Sequence, residues 1–269
     1  MSTSFLDCID WSRPWLKHVR NIGERIASAP DWRLELNLCA AAMALHNHRK
    51  LSIRFVLQAD LPADTAYETF ISNTGCVPTR DNLHDFFNAL VWLTFPRIKV
   101  QLNLLQAMEI ERVITQSTTA PRGKLRDAAT IFDENAILLV TSNRELVTAL
   151  RAHEWEDAFI ARRNDFSQDC GVFLFGHALM EKLVAPYKAI TGHAWIVSLN
   201  MNLDLEALTL LDQLSGIDAH VALQLANGLS TADFSPLPVL GVPTWWEGQD
   251  DAFYQDVSVF RPKRKYDAR

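Results

Sequence analysis

The sequence predicts a helix-rich single domain of the α+β or α/β class, built around a small mixed sheet. Four short runs rich in strand formers carry this expectation: Leu51 to Gln58, Ala136 to Thr141, Gly171 to Phe175 and His193 to Leu199. Between them, apolar residues recur at helical spacing. At 269 residues, with 48% hydrophobic and 22% charged side chains, the chain can bury a large core. Strands that alternate with helices are most economically arranged as one sheet covered by helices.

A net charge of −6 gives no general field for phosphate backbones or anionic lipid, so nucleic acid and membrane are not the expected partners. Asp7 and Asp10 stand where a secretion signal needs bases and then an unbroken apolar run. Apolar runs such as Leu38 to Leu45 fall short of the roughly 20 residues of a membrane span. Cys8, Cys39, Cys76 and Cys170 are too widely spaced for a metal knuckle or a dense disulfide framework. The expectation is a soluble, cytoplasmic protein with reduced thiols. Three stretches are expected: an N-terminal arm, 1–30, packed on the body; a helix-rich core, 31–235; and an extended Pro-rich wrap with a basic tail, 236–269.

In chain order, Trp11, Trp15 and Val19 recur every four residues, so the arm packs along one helical face. Leu34 to Leu45 is an apolar helix closed by the polar cluster His46 to Lys50, and Leu51 to Gln58 is the first strand. A short helix from Asp64 to Ile71 ends at Gly75, a residue suited to a left-handed cap. Val77 to Asp81 reads as an ordered loop. Leu83 to Asn103 then holds the densest grouping of aromatic and polar side chains, and reads as two helices that meet at Pro96. Asn82 is the expected N-cap of the first, with Asp85 in its first turn.

On a helical wheel, the apolar residues of this first helix cover most of the circumference. The remaining wedge holds His84, Asp85, Asn88 and Trp92, and lacks the long charged side chains of a solvated face. It must therefore face other protein groups or a cavity. Lys99, Asn103 and Gln106 form one stripe of the second helix. Thr115 to Gly123 is a surface loop. Lys124 to Asn135 is a helix with Asp127, Thr130 and Glu134 on one face. Asp133 and Glu134 sit at its C-terminus, where acids oppose the helix dipole and call for a partner.

Ala136 to Thr141 is the clearest buried strand, and Ser142 with Glu145 resembles a capping box for the helix that follows, with another through Trp155 to about Arg163. Gly171 to Phe175 is a strand with a helix starting at its end, so His177, with Glu181 one turn behind, occupies the strand-end position where ligands gather in α/β proteins. Lys188 and His193 flank Gly192 before the last strand. Asp204 caps a helix that Gly216 separates from a second, Asp218 to Leu229. The end, from Pro236, is extended and finishes in Arg261, Lys263, Arg264, Lys265 and Arg269.

The runs Leu83 to Trp92, Arg126-Asp127 to Phe132-Asp133-Glu134-Asn135, Gly176 to Lys188 and Phe253 to Pro262 together resemble a bacterial family described as a domain of unknown function, number 3025. The resemblance spans roughly residues 30 to 265 and implies a mainly proteobacterial protein. It implies no activity and no catalytic residue.

From the residues themselves, two functions remain open. The residues favour a non-catalytic small-molecule-binding or interaction protein of the bacterial cytoplasm, with a small anionic ligand as its candidate partner. The alternative is a hydrolase-type enzyme with a His/carboxylate site, either metal-dependent or metal-free. The catalytic candidates are His84, His177, Asp127 and Glu134; Asp85 and Asp133 are further candidate ligands, acids or bases. The binding candidates are Asn88, Trp92, Lys99, Arg126, Glu181, Lys188 and His193. No His-Glu-x-x-His motif, nucleophile elbow, phosphate loop or dinucleotide fingerprint is present, so only the fold can bring these groups together.

Overall fold

The computed structural model describes residues 4–115, 123–199 and 210–263. The expected surface loop at 116–122, the Asp204 cap with the start of its helix, and Arg264, Lys265 and Arg269 of the basic tail lie outside these residues.

The helices are α1 (Arg20–Ala27), α2 (Trp32–Ala42), α3 (Tyr67–Thr74), α4 (Leu83–Thr94), α5 (Pro96–Thr115), α6 (Lys124–Asn135), α7 (Arg144–Ala152), α8 (Arg163–Asp169), α9 (His177–Lys182), α10 (Leu210–Ala226) and α11 (Asp251–Tyr254). The strands are β1 (Arg54–Leu57), β2 (Cys76–Thr79), β3 (Ala136–Val140), β4 (Gly171–Leu174), β5 (Thr191–Val197) and β6 (Phe234–Pro238). The architecture is α+β: a four-stranded mixed sheet in the order β4-β3-β5-β6, and a small parallel pair, β1 with β2. β3 is buried along its whole length between parallel β5 and antiparallel β4, which explains its unbroken apolar sequence. No helix among the described residues is long and apolar enough to cross a membrane.

The helix pair at Pro96 forms as its sequence dictates. Asn82 accepts the Asp85 main-chain N–H at 2.8 Å and starts α4. Pro96 opens α5 without a donor of its own, and the next two free N–H groups, of Arg97 and Ile98, are taken by the two carboxylate oxygens of Asp218 at 3.0 and 2.9 Å. Asp218 therefore caps a neighbouring helix instead of beginning its own. α10 runs continuously through Gly216, where the expected break does not occur; an added Cβ there would meet nothing within 4 Å. An exposed glycine weakens a helix by about 1 kcal/mol and does not end it. The cap of α7 is likewise Asn143, which accepts the Leu146 N–H at 3.1 Å, one residue after the expected Ser142.

Two strands lie where the sequence suggested an ordered loop, around Val77 to Asp81, and an extended wrap outside the sheet, from Pro236. β2 contains Pro78 and β6 contains Pro236 and Pro238. Each is the outer member of its sheet, the one place a residue without an N–H costs no ladder bond. The arm packs inward through Trp15, Leu16 and Val19, all fully buried.

The sheet register places the functional groups. Antiparallel pairing aligns Ile137 with Leu174, so the junction from α6 into β3 lies beside the junction from β4 into α9. The main-chain N–H groups of Phe175 and Gly176 both donate to Ala136 O, at 3.0 and 2.8 Å, and lock the two junctions together. α4 packs across α9 with its first turn over the same point.

Candidate functional site

At this meeting of α4, α6 and α9, His84, Glu134, His177 and Glu181 converge. His84 Nδ1 lies 3.0 Å from Glu181 Oε2, and His84 Nε2 lies 3.1 Å from His177 Nε2. Glu134 Oε2 is 3.4 Å from His177 Nε2 and 4.0 Å from His84 Nε2. His177 and Glu181 share one face of α9 at a separation of one turn, so both reach the His84 ring. The Glu181 carboxylate takes the His84 Nδ1 proton and leaves the His84 Nε2 lone pair directed at His177 and Glu134.

The three inward atoms, two imidazole nitrogens and one carboxylate oxygen, form a triangle with sides of 3.1, 3.4 and 4.0 Å. Its centre lies about 2.1 Å from each corner, which is the length of a Zn–N or Zn–O bond, roughly 2.0–2.2 Å. Tetrahedral ligands at that bond length stand about 3.4 Å apart and cis octahedral ones roughly 2.9 Å. The 3.1 and 3.4 Å sides lie near the tetrahedral value, and the 4.0 Å side between His84 and Glu134 is wider. His84, Glu134 and His177 are the His/Cys/Asp/Glu group among the described residues with the geometry to hold a metal ion.

A second layer braces the triangle from beneath. The Lys99 ammonium, buried at 4% exposure, donates to Asp133 Oδ1 at 2.6 Å and Asn88 Oδ1 at 2.8 Å, and lies 5.4 Å from the centre of the Trp92 ring. Asn88 Nδ2 donates to the Tyr67 hydroxyl at 3.1 Å. Arg80 grips Asp85 through two side-chain bonds and its own main-chain N–H. Asn103 Nδ2 holds Glu68 at 2.6 Å. The acids at the C-terminus of α6 thus have the partners that their unfavourable position required: Lys99 for Asp133, the histidine pair for Glu134.

Electrostatics follow from this packing. Burial, opposed by Asp133, holds the His177 ring down to about 4, so it is neutral at pH 7 and free to act as a ligand. Burial raises Glu134, and the adjacent Asp133 charge adds to the effect. For Asp133 burial pushes upward, but Lys99 and His177 outweigh it and hold the carboxyl below its ordinary range. Burial also raises Glu68 and takes the Tyr67 phenol well above its ordinary value. With Asp133 set against Lys99 and Asp85 against Arg80, the acids Glu68, Glu134 and Glu181 have no Lys or Arg in direct contact among the described residues, the charge pattern of a cation site.

The site opens into a pocket of about 290 Å³ whose wall includes Tyr67, Glu68, Arg80, Asn88, Glu134 and His177. Larger cavities of about 410 and 570 Å³ touch His18 or Asp218, but those groups are already engaged, His18 with Leu174 O at 2.7 Å and Asp218 in capping α5. The small pocket holds the group of His84, Glu134 and His177 that could hold a metal ion.

The sequence candidates divide cleanly. His84, His177, Glu134 and Glu181 meet at the triangle; Asn88 lines the pocket, and Lys99 and Trp92 are buried behind its wall, Lys99 bonded to the lining residues Asn88 and Asp133. Arg126, half-buried on α6, lies near enough to Glu68 to lower its pKa. Asp127 is exposed and outside the pocket: it shares a helix face with Glu134 but sits two turns away, about 10.5 Å along the axis. Lys188 is not brought in; it pairs with Asp256 at 2.8 Å and covers the Phe253 ring. His193 packs on Phe234 in the sheet, away from the pocket. Tyr67, Glu68 and Arg80 are pocket residues that sequence reasoning missed, because a tyrosine and a glutamate on a short amphipathic helix, and an arginine in a loop, carry no pattern distinct from ordinary surface.

No curated protein and no solved structure matches the chain. A family model described as "Protein of unknown function (DUF3025)" matches residues 53–264, a span that includes every residue of the site.

Proposed function

Because the chain belongs to the DUF3025 family of proteins of unknown function, and that membership brings no reaction with it, we propose from the site itself a metal-dependent enzyme of the hydrolase type. The observation that carries this reading is the triangle of His84 Nε2, His177 Nε2 and Glu134 Oε2, whose centre is one metal–ligand bond from each atom. Two histidines and one glutamate leave a coordination position open on the pocket side, which is the arrangement of a catalytic rather than a structural zinc site.

Held by His84, Glu134 and His177, a divalent ion would supply a water acidic enough to attack at neutral pH. The chain does the rest. His84 is held in its ligating tautomer by Glu181, and His177 is kept neutral by burial. Glu68, raised by burial and facing the same pocket, is placed to take the proton of the attacking water and return it to the leaving group as the scissile bond breaks. The uncompensated charge of Glu134 and Glu181 is what the ion neutralises.

Metal analysis tests this directly. The purified protein should bind about one zinc-class ion per chain, and His84→Ala or Glu134→Gln should weaken that binding at least 100-fold while the circular dichroism spectrum stays native. Hydrolysis of simple esters or amides should then require the ion and vanish in the same variants. Unchanged metal affinity in either variant would sink the site assignment; tight metal binding without turnover on any ester or amide would leave a binding protein instead of an enzyme.

A further inference from the structure

We propose that the Tyr67 hydroxyl is the hydrogen-bond donor that holds the reacting oxygen of the substrate, and that this oxygen belongs to an uncharged carbonyl compound, an amide or ester, and not to a phosphate. The proposal rests on the metal-dependent reading of the site and adds to it a recognition residue and a substrate class.

The argument is one of enforced polarity. Lys99 has only donors, and it gives one to Asn88 Oδ1 at 2.8 Å. That contact fixes which way the Asn88 amide points. Its Nδ2 therefore faces Tyr67 Oη, 3.1 Å away, and an amide nitrogen can only donate. The tyrosine oxygen is thus an acceptor, and its own proton is left over. Among the described residues no group accepts that proton, although Tyr67 lines the same pocket as His84, Glu134 and His177. A half-buried hydroxyl held in place by a Lys–Asn chain, with its proton unspent, is prepared to donate to something that enters the pocket.

The other polar groups on the wall strengthen this assignment. Glu68, Asp85, Asp133 and Glu134 are acceptors, and the Arg80 guanidinium is committed to Asp85. A substrate oxygen needs a donor, and the Tyr67 hydroxyl is the one held rigidly by the Lys99–Asn88 chain, beside the more mobile Gln58 amide and the Arg80 N–H groups not used on Asp85. Burial together with the Glu68, Asp85 and Asp133 charges keeps the phenol protonated at any working pH. Charge then selects the substrate class. A divalent ion offsets Glu134 and Glu181, Lys99 offsets Asp133, and Arg80 offsets Asp85. No surplus positive charge remains to offset a phosphate dianion, whereas a neutral carbonyl asks only for the ion and one hydrogen bond.

The test uses zinc-loaded full-length protein with acetohydroxamic acid, which releases one proton and ligates zinc through its carbonyl and N–O oxygens as a monoanion, and inorganic phosphate, which brings a second negative charge as the dianion, as the competitor, both measured by titration calorimetry. Acetohydroxamic acid should bind the wild type at least tenfold more tightly than phosphate. Tyr67→Phe should weaken acetohydroxamic acid about 5- to 10-fold, the effect of one hydrogen bond, and leave zinc affinity unchanged, which also establishes that the variant is folded. Equal probe affinity in wild type and Tyr67→Phe overturns the donor role, as does a parallel loss of zinc affinity. Tighter phosphate than acetohydroxamic acid overturns the substrate class. Failure of the wild type to bind zinc is a separate result: it removes the metal-dependent reading and this proposal with it.

Discussion

His84 and His177 lie 3.1 Å apart, and the hydrogen-bond accounting at that contact is strict. With the His84 Nδ1 proton given to Glu181, the His84 Nε2 is an acceptor, so in the metal-free protein His177 Nε2 must supply the hydrogen. As a metal ligand through Nε2, the neutral His177 would carry that proton on Nδ1 instead, which among the described residues has no partner in hydrogen-bond range and faces the Asp133 carboxylate at 3.9 Å. Another histidine shows what burial alone does. His18 is buried, donates its Nε2 proton to Leu174 O, and is held down to about 4 by loss of solvent, which outweighs that bond. Its unfolded value is near 6.5, so the unfolded chain binds the extra proton first. The His18 contribution is therefore fully present above pH 6.5 and is lost as pH falls toward 4, a change of about 3 kcal/mol. Denaturant unfolding across this window should show it: His18→Gln should reduce the slope of stability against pH by about 1.4 kcal/mol per unit, and an unchanged slope would mean that His18 is not buried as a neutral ring. Nothing in the sequence singled out His18. The Trp11, Trp15, Val19 spacing identified a packing face, but the histidine between Trp15 and Val19 became legible only when Leu174 was seen to approach it.

At the scale of elements, the site depends on one close approach. Gly176 has an ordinary φ of −60°, so conformational freedom is not why it is glycine. A Cβ there would lie 2.5 Å from the Asn135 Cα, the Asn135 N and the Glu134 O, all main-chain atoms that cannot turn aside. The start of α9 is thus seated directly on the end of α6, and this seat sets the distance between His177 and Glu134. Gly176→Ala should push the helices apart and weaken zinc binding at least tenfold while the far-ultraviolet spectrum stays native; unchanged affinity would show that the joint does not set the ligand spacing. Much of this was readable beforehand: a helix beginning at His177 on a strand end, Asn82 capping α4, Pro96 dividing two helices, a polar wedge facing inward. What could not be read was the antiparallel pairing of β3 with β4, because register between strands separated by three helical segments leaves no local signature. That pairing alone decides that Glu134 meets His177 and that Asp127, on the same helix face, does not. The proline-bearing strands β2 and β6 were hidden for a different reason: the rule against proline in strands does not hold at a sheet edge.

For the whole molecule, the composition described a large apolar core well, and the site is an exception to it. Glu134 sits partly buried beside Asp133 with its pKa raised by burial first and by that neighbour second. A group raised in the folded state stabilises the fold at low pH and weakens it as pH climbs past its folded value, so at pH 7 the Glu134 charge costs the metal-free protein stability. The cost is placed where the elements meet: α4, α6 and α9 carry the triangle, and α6 and α9 lead directly into β3 and out of β4. An ion at its centre would join residues far apart in sequence and so would bind only the folded chain. At 100 times its dissociation constant it should add about 2.7 kcal/mol, or roughly 5–10 °C in Tm for a chain of this size. Glu134→Gln separates the two effects. It removes the uncompensated charge and a ligand together, so it should melt no lower than the metal-free wild type in the presence of chelator, and should gain nothing from zinc. A structural hydrogen-bond network makes the opposite prediction, with Glu134→Gln less stable by about 1–3 kcal/mol whether or not zinc is present, because buried partners are left unsatisfied. Paired thermal melts of the two proteins with chelator and with zinc discriminate the two accounts, since the site reading requires the wild type to cross from below the variant to above it as the ion is added.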